Sequence, residues 1–251
     1  MISSGKYLFS FLSLSVFLCG SLSSAAPMVT GFVDGKPFSV PPGLFVADEH
    51  SPVSVLDQWE ANYPENGHFS ISAEFDPDPV INYSIAVTDF GAPSTFTFVF
   101  SQPIVLAGTN HLVDAQIGGA LNDGSGDGIT LTPNSPDSDG DTIAEIQTSE
   151  VGLGAPSVNM GVDVGGAFSN PGTGSPMVFS YPTDMQPVQP GPVGTFDQMS
   201  LTVSFTLSGG GDFAALTGFS QIVEVPEPST VAMLVSGGLL GLVGVYRRRA
   251  S

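Results

Sequence analysis

Basic residues are nearly missing from this chain: five Lys and Arg stand against 24 Asp and Glu among 251 residues. Lys6, Arg247, Arg248 and Arg249 are four of the five bases, all close to the two ends. Glu227 is the one acid near either end, so residues 26–225 keep 23 acids and a single base, Lys36, a formal charge of −22 with His neutral. Such a surface repels phosphate backbones and anionic headgroups, which excludes nucleic acid as a partner. It suits solubility outside a cell, or association with cations. Disorder is not expected, because the acids are interspersed with many Phe, Val, Ile and Leu.

Cysteine is almost absent too. Cys19, the only one, lies in an N-terminal run with the order of a secretory signal peptide: Lys6, an apolar stretch over 7–19, then small residues ending in Ser23-Ser24-Ala25. Val16-Phe17-Leu18 before Cys19 lacks the small residue that a lipoprotein signal wants. Cleavage between Ala25 and Ala26 removes Cys19, so the mature chain has no disulfide, thiol nucleophile or thiolate ligand.

Catalytic signatures are missing as well. His50, His68 and His111 stand far apart with no HExxH spacing, no GxSxG occurs, and GSGDG lacks the Lys and the strand-to-helix setting of a P-loop. Glu60, Glu65 and Glu74 could each be paired with an Asp for glycoside hydrolysis, but among 23 acids some pair can always be chosen. The expectation is a protein that is not an enzyme and has no cofactor, with a glycoside hydrolase as the lesser alternative.

What is present at the C-terminus is more specific. Residues 230–246 are seventeen in a row without a charge, about 25 Å as a helix, at the short end of what crosses a bilayer core. Gly237 and Gly241 form a small-xxx-small pair within it. Arg247, Arg248 and Arg249 follow at once, and basic residues flanking a span stay cytoplasmic. Everything before the span then lies outside, which is also where a signal peptide delivers it.

Pro226-Glu227-Pro228, Ser229, the apolar span and the Arg cluster together resemble the PEP-CTERM sorting signal of Gram-negative bacteria. The resemblance covers about the last 27 residues and implies processing by an exosortase in the membrane near Pro226–Pro228. It also implies export through the inner membrane, and delivery of the body to the cell surface or an extracellular polysaccharide matrix. Two prolines two apart cannot join a helix interior or a sheet ladder, so they hold that junction extended. The organisation expected is a signal peptide at 1–25, an acidic body at 26–225 and a sorting tail at 226–251, membrane-anchored through the tail until it is processed.

The body reads as all-β. Leu201, Val203, Phe205 and Leu207 alternate with Ser and Thr, and so do Phe96, Phe98 and Phe100. Phe69, Ile71, Ala73 and Phe75 form a third stripe, and Ile81, Tyr83, Ile85 and Val87 a fourth. Period two marks strands with one buried and one wet face. VTGFVDGKPFSV reads as a hairpin turning at Asp34-Gly35, with Pro37 marking an edge. Shorter strands are expected over 129–131, 143–148, 158–164 and 177–181, and short helices near 53–62 and 213–217. Two segments, 122–141 and 183–194, read as long loops, the second because Pro187, Pro190 and Pro192 favour extended structure. The fold expected is an antiparallel β-sandwich of jelly-roll type.

Two features of the body could carry binding. Asp137, Asp139 and Asp141 alternate around Gly140, with Asp123 and Asp127 ahead of them. Their spacing is not that of an EF-hand, because Thr142 stands where Gly is required. The run is either a solvated acidic turn or an irregular Ca²⁺ loop. Trp59, the only tryptophan, is near Tyr63. The pair either closes one end of the core or offers rings that stack on sugars, which would suit extracellular polysaccharide as a partner. The principal expectation is therefore a structural protein of the surface or matrix, with a carbohydrate-binding module, Ca²⁺-dependent or not, as the alternative.

Overall fold

The computed structural model describes residues 26–47, 53–106, 110–135, 143–152 and 157–225. The signal peptide, Pro226-Glu227-Pro228, the apolar span, the Arg cluster and Asp137, Asp139 and Asp141 lie outside the described residues. No described helix is long and apolar enough to cross a membrane.

Alternating sequences become strands wherever they occur. In chain order these are β1 (Met28–Val33), β2 (Lys36–Ser39), β3 (Val46–Ala47), β4 (Ser54–Tyr63), β5 (Gly67–Asp76), β6 (Val80–Asp89) and β7 (Ser94–Pro103). Then come β8 (His111–Asp123), β9 (Gly128–Pro133), β10 (Gln147–Gly152), β11 (Ser157–Asn159), β12 (Phe168–Pro171), β13 (Met177–Pro190), β14 (Gln198–Leu207) and β15 (Asp212–Glu224). One 3₁₀ turn, Pro42–Leu44, is the only helical piece among the described residues.

The strands form two antiparallel sheets. Sheet A has the order β11-β10-β14-β7-β1-β2, with β9 joining β14 and β12 joining β9; sheet B has the order β13-β8-β15-β6-β5-β4-β3. All four stripes read from the sequence point into the space between them. Phe69, Phe75, Phe96, Phe98, Phe100 and Phe205 are fully buried there, each contributing about 1.5–3 kcal/mol of apolar burial. The hairpin also forms as read: Asp34 (φ 47°) and Gly35 (φ 74°) make a two-residue turn between Val33 and its partner Lys36. β2 lies at an edge of sheet A, where the missing N–H of Pro37 is tolerated.

Both expected helices are strands instead. Of residues 53–62, all but Val53 fall in β4, whose register against β5 shifts between Leu56 and Trp59. The bulge changes the phase, so Leu56 and then Trp59, Ala61 and Tyr63 turn toward the core, and the period-two signal is broken in the sequence. Residues 213–217 fall in β15, which lies between β6 and β8 in the middle of sheet B. Ala214-Ala215-Leu216 has helix propensity, but pairing on both sides overrides it.

The segment 183–194 is not a loop through most of its length. β13 continues to Pro190 along the edge of sheet B, and its register against β8 shifts twice, at Tyr181/Asp184 and at Gln186/Gln189. Pro182 and Pro187 fall inside those two shifts, because a residue with no N–H cannot sit in a regular ladder. The segment 122–141 is likewise interrupted by β9. The strand expected over 143–148 runs later, over Gln147–Gly152, and 158–164 is a strand only at its start, with Val164 returning as a single bridge to Gln147. β8 is a strand that the sequence pattern does not mark. Val113, Ala115, Ile117 and Leu121 carry its stripe, but Gly118-Gly119 breaks it. At Gly119 a Cβ would lie 2.0 Å from the Ala215 carbonyl oxygen, so only glycine fits.

Candidate functional site

Tight turns at one end of the sandwich need residues that tolerate unusual backbone and satisfy free N–H groups, and this chain supplies Asp and Gly. Asp34 accepts the Thr95 N–H at 2.7 Å. Asp89 accepts the Ser94 N–H at 2.9 Å and the Ser94 hydroxyl at 3.2 Å. Asp123 accepts the Gly126 N–H at 2.6 Å and the Gly128 N–H at 2.9 Å. Asp212 accepts the Gly124 N–H at 3.3 Å and the Ser208 hydroxyl at 2.5 Å. Each carboxylate thus has a local bonding role before any ligand is considered.

Three of these groups converge further. Asp123 and Asp127 belong to the β8–β9 turn, and Asp212 opens β15 after Gly209-Gly210-Gly211. Phe213 pairs with Asn122, which brings the two turns to the same rim. The three glycines take φ of 87°, 71° and 90°, and a Cβ on Gly124 would come within 2.2 Å of the Gly211 carbonyl oxygen. Glycine facing glycine lets the turns close up. One carboxylate oxygen from each of Asp123, Asp127 and Asp212 then lies within 4.8 Å of the others. Asp123 and Asp212 are buried and Asp127 is exposed, its carboxylate accepting from the Ser125 hydroxyl. A cleft of about 360 Å³ opens beside Asp127 and Asp212, lined also by Thr130, Ser169 and Asn170.

The electrostatics of this rim are unfavourable. Burial pushes the Asp212 carboxyl above its ordinary range, the Ser208 and Gly124 bonds pull it down, and the charges of Asp123 and Asp127 push it up again. Burial likewise raises Asp89, with a further push from Asp34. Lys36, the one base of the body, bonds to the Asn66 amide oxygen at 3.2 Å. Three carboxylate oxygens with free lone pairs suit a hard cation such as Ca²⁺, which takes six to eight oxygens, the remainder from water or loop carbonyls. Asp123 and Asp127 were marked in the sequence. Asp212 was missed; the GGGD run was the available signal.

Trp59 and Tyr63 sit elsewhere, on β4 in sheet B. Trp59 is half-buried, its ring 5.6 Å from Phe38 and 5.7 Å from Phe69. Tyr63 stacks on Phe69 at 6.0 Å, and Phe69 meets Phe98 of sheet A edge-on at 5.2 Å. These rings bridge the two sheets along one side of the core.

Comparison with known proteins adds one clear match. No curated protein matches the chain. Among solved structures, TmCBM61 in complex with beta-1,4-galactotriose is similar at 12% identity and a TM-score of 0.27, over 62% of this chain and 88% of that one. That degree of likeness carries no argument about this chain. The family model of the PEP-CTERM protein-sorting motif matches residues 224–249. The motif thus begins at the last residue of β15, and this chain carries a PEP-CTERM sorting tail joined directly to the final strand of an antiparallel β-sandwich.

Proposed function

We propose that the chain is an exported, non-catalytic protein of the bacterial surface or extracellular matrix, delivered there by an exosortase that acts on its C-terminal tail. The observation that carries this reading is the PEP-CTERM motif over 224–249. The N-terminal leader, cleaved between Ala25 and Ala26, starts export. The apolar span then holds the body outside the inner membrane, with Arg247–Arg249 on the cytoplasmic side, until the tail is cut near Pro226–Pro228. The acidic body adds solubility in that setting, and its role in the matrix is structural.

Intact mass of the protein recovered from producing cells tests this. The main extracellular species is expected to lack both ends; a main species that retains Arg247–Arg249 would overturn the reading.

A second reading is supported by the rim carboxylates. In it the body binds extracellular polysaccharide, with Ca²⁺ held by Asp123, Asp127 and Asp212 ordering the two turns. It is motivated by three convergent carboxylates in a body whose single base lies on Asn66. Carbohydrate binding measured with and without chelator tests it.

A further inference from the structure

The outer face of sheet A differs from the rest of this acidic surface. Along β7 and β14, the positions alternating with the buried Phe96, Phe98, Leu201, Val203 and Phe205 are mostly hydroxyls: Thr95, Thr97, Thr202, Ser204 and Thr206. They are locked in pairs across the strands, Thr97 to Ser204 at 2.8 Å and Thr95 to Thr206 at 2.9 Å. The Asn134 amide donates to the Thr206 hydroxyl at 2.8 Å. Among the outward positions of β7, β10 and β14, Glu150 alone is charged.

A hollow opens where β14 changes partner. β10 pairs residues 198–203 of β14 and β9 pairs residues 205–207, leaving Ser204 at the fork. There the Ser204 N–H donates to the Ile146 carbonyl at 2.8 Å, and the Asn134 N–H donates to the Ser204 carbonyl at 3.1 Å. The resulting cavity of about 310 Å³ is lined by Thr97, Asn134, Ser135, Thr148, Glu150 and Thr202. Its volume is at the small end of small-molecule sites. Ser135 is 3% exposed and its hydroxyl has no hydrogen-bond partner among the described residues. A buried hydroxyl left unpaired calls for a partner, and the described residues supply none.

We propose that this hollow binds one unit of a neutral polysaccharide, gripped by its hydroxyl and amide groups, with Glu150 as the charged acceptor. The chemistry favours that ligand over others. Hydroxyls and an amide donate and accept, which matches a sugar's own hydroxyls. Glu150 already accepts the Ser157 hydroxyl at 2.8 Å and keeps further lone pairs for a ligand's O–H. The same carboxylate, in a body of −22, repels uronates, sulfates and phosphates. The proposal rests on the carbohydrate reading above and gives it a place far from Trp59.

The test uses the whole chain, expressed and purified, titrated by calorimetry with hexasaccharides of β-1,4-glucan, β-1,4-mannan and β-1,4-xylan and with oligogalacturonate. At least one neutral probe is expected to bind and oligogalacturonate is not. Glu150→Gln is expected to weaken binding about tenfold, the range of one charge-assisted hydrogen bond, and Thr202→Val about fivefold, that of a neutral one, both with melting temperature near that of the parent. Trp59→Ala is expected to leave affinity unchanged. Neutral binding lost in Trp59→Ala but kept in Glu150→Gln and Thr202→Val would overturn this site and leave the carbohydrate reading standing. Tighter binding of oligogalacturonate would overturn the site as well. Failure of every probe would overturn both.

Discussion

The Tyr83 hydroxyl donates to Oε1 of Gln147 at 2.7 Å across the gap between the two sheets. Gln147 in turn donates from Nε2 to the Phe219 carbonyl at 2.9 Å, so one amide ties β6 and β15 of sheet B to β10 of sheet A. Opposite them stands Gly218, where a Cβ would come 2.6 Å from the Tyr83 hydroxyl and 2.7 Å from Gln147 Oε1. The bond is a polar link through an apolar core, made possible by an absent side chain.

Tyr83→Phe leaves that amide oxygen buried with one partner fewer. We expect a loss of about 1–3 kcal/mol in denaturant unfolding. Gly218→Ala is expected to cost about the same by crowding the pair. An unchanged unfolding midpoint in both variants would show that the link contributes nothing.

The same tyrosine gives a pH signature. Burial pushes Tyr83 well above the ordinary tyrosine range, and burial with the nearby charges of Asp184 and Glu145 pushes Tyr181 up too. A raised folded pKa means that the stabilisation is complete below the unfolded value of about 10 and is lost as pH rises beyond it. Stability is therefore expected to fall on going from pH about 9 to pH about 11, less steeply in Tyr83→Phe. Equilibrium unfolding at a series of pH values reads this directly.

Asp212 behaves in the opposite sense to a salt-bridged carboxylate. Its folded pKa is raised by burial and by Asp123 and Asp127, so its ionisation opposes folding at neutral pH, and the penalty is relieved as pH falls through the raised value. Asp212→Asn is expected to raise the melting temperature in chelator and to abolish any rise on adding Ca²⁺. A parent protein whose melting temperature ignores Ca²⁺ would remove the cation from this rim.

Trp59 distinguishes core closure from sugar stacking. Its contacts with Phe38 and Phe69 lead us to expect Trp59→Ala to cost about 2–4 kcal/mol, below a fully buried aromatic because the ring is half-exposed. Thermal unfolding measures that cost, and glycan affinity measured on the same sample shows whether the ring also touches sugar.

For the sorting tail, replacing Pro226, Glu227 and Pro228 by alanine is expected to shift the protein from the extracellular to the membrane fraction of producing cells, with the tail retained. Immunoblotting of the fractions checks it. Unchanged release would place the processing signal elsewhere.

The parts of the fold legible in the sequence were those where alternation ran unbroken. β5, β6, β7 and β14 could be read directly because the middle inward positions of each are Phe, Leu, Ile, Val, Ala or Tyr and most of their neighbours are polar. β4 was hidden by a bulge between Leu56 and Trp59 that reverses the phase, β8 by Gly118-Gly119, and β15 by Ala-Ala-Leu in a central position. None of these is a local property; each depends on what the neighbouring strand accepts. The rim site was half legible for the same reason. Asp123 and Asp127 share one turn, but Asp212 reaches them only because β15 pairs with β8, Phe213 against Asn122, 91 residues apart in the chain, which no spacing rule exposes.

The two register shifts at Pro182 and Pro187 have a consequence for crowding. Sheet margins invite neighbouring molecules to add strands and grow fibrils. Here β13 presents prolines and kinks, β3, β11 and β12 are only two, three and four residues long, and β2 carries Lys36 and Pro37. A protein with its margins blunted in this way can be packed densely outside a cell, where no chaperone dissolves aggregates, and still remain a set of separate molecules.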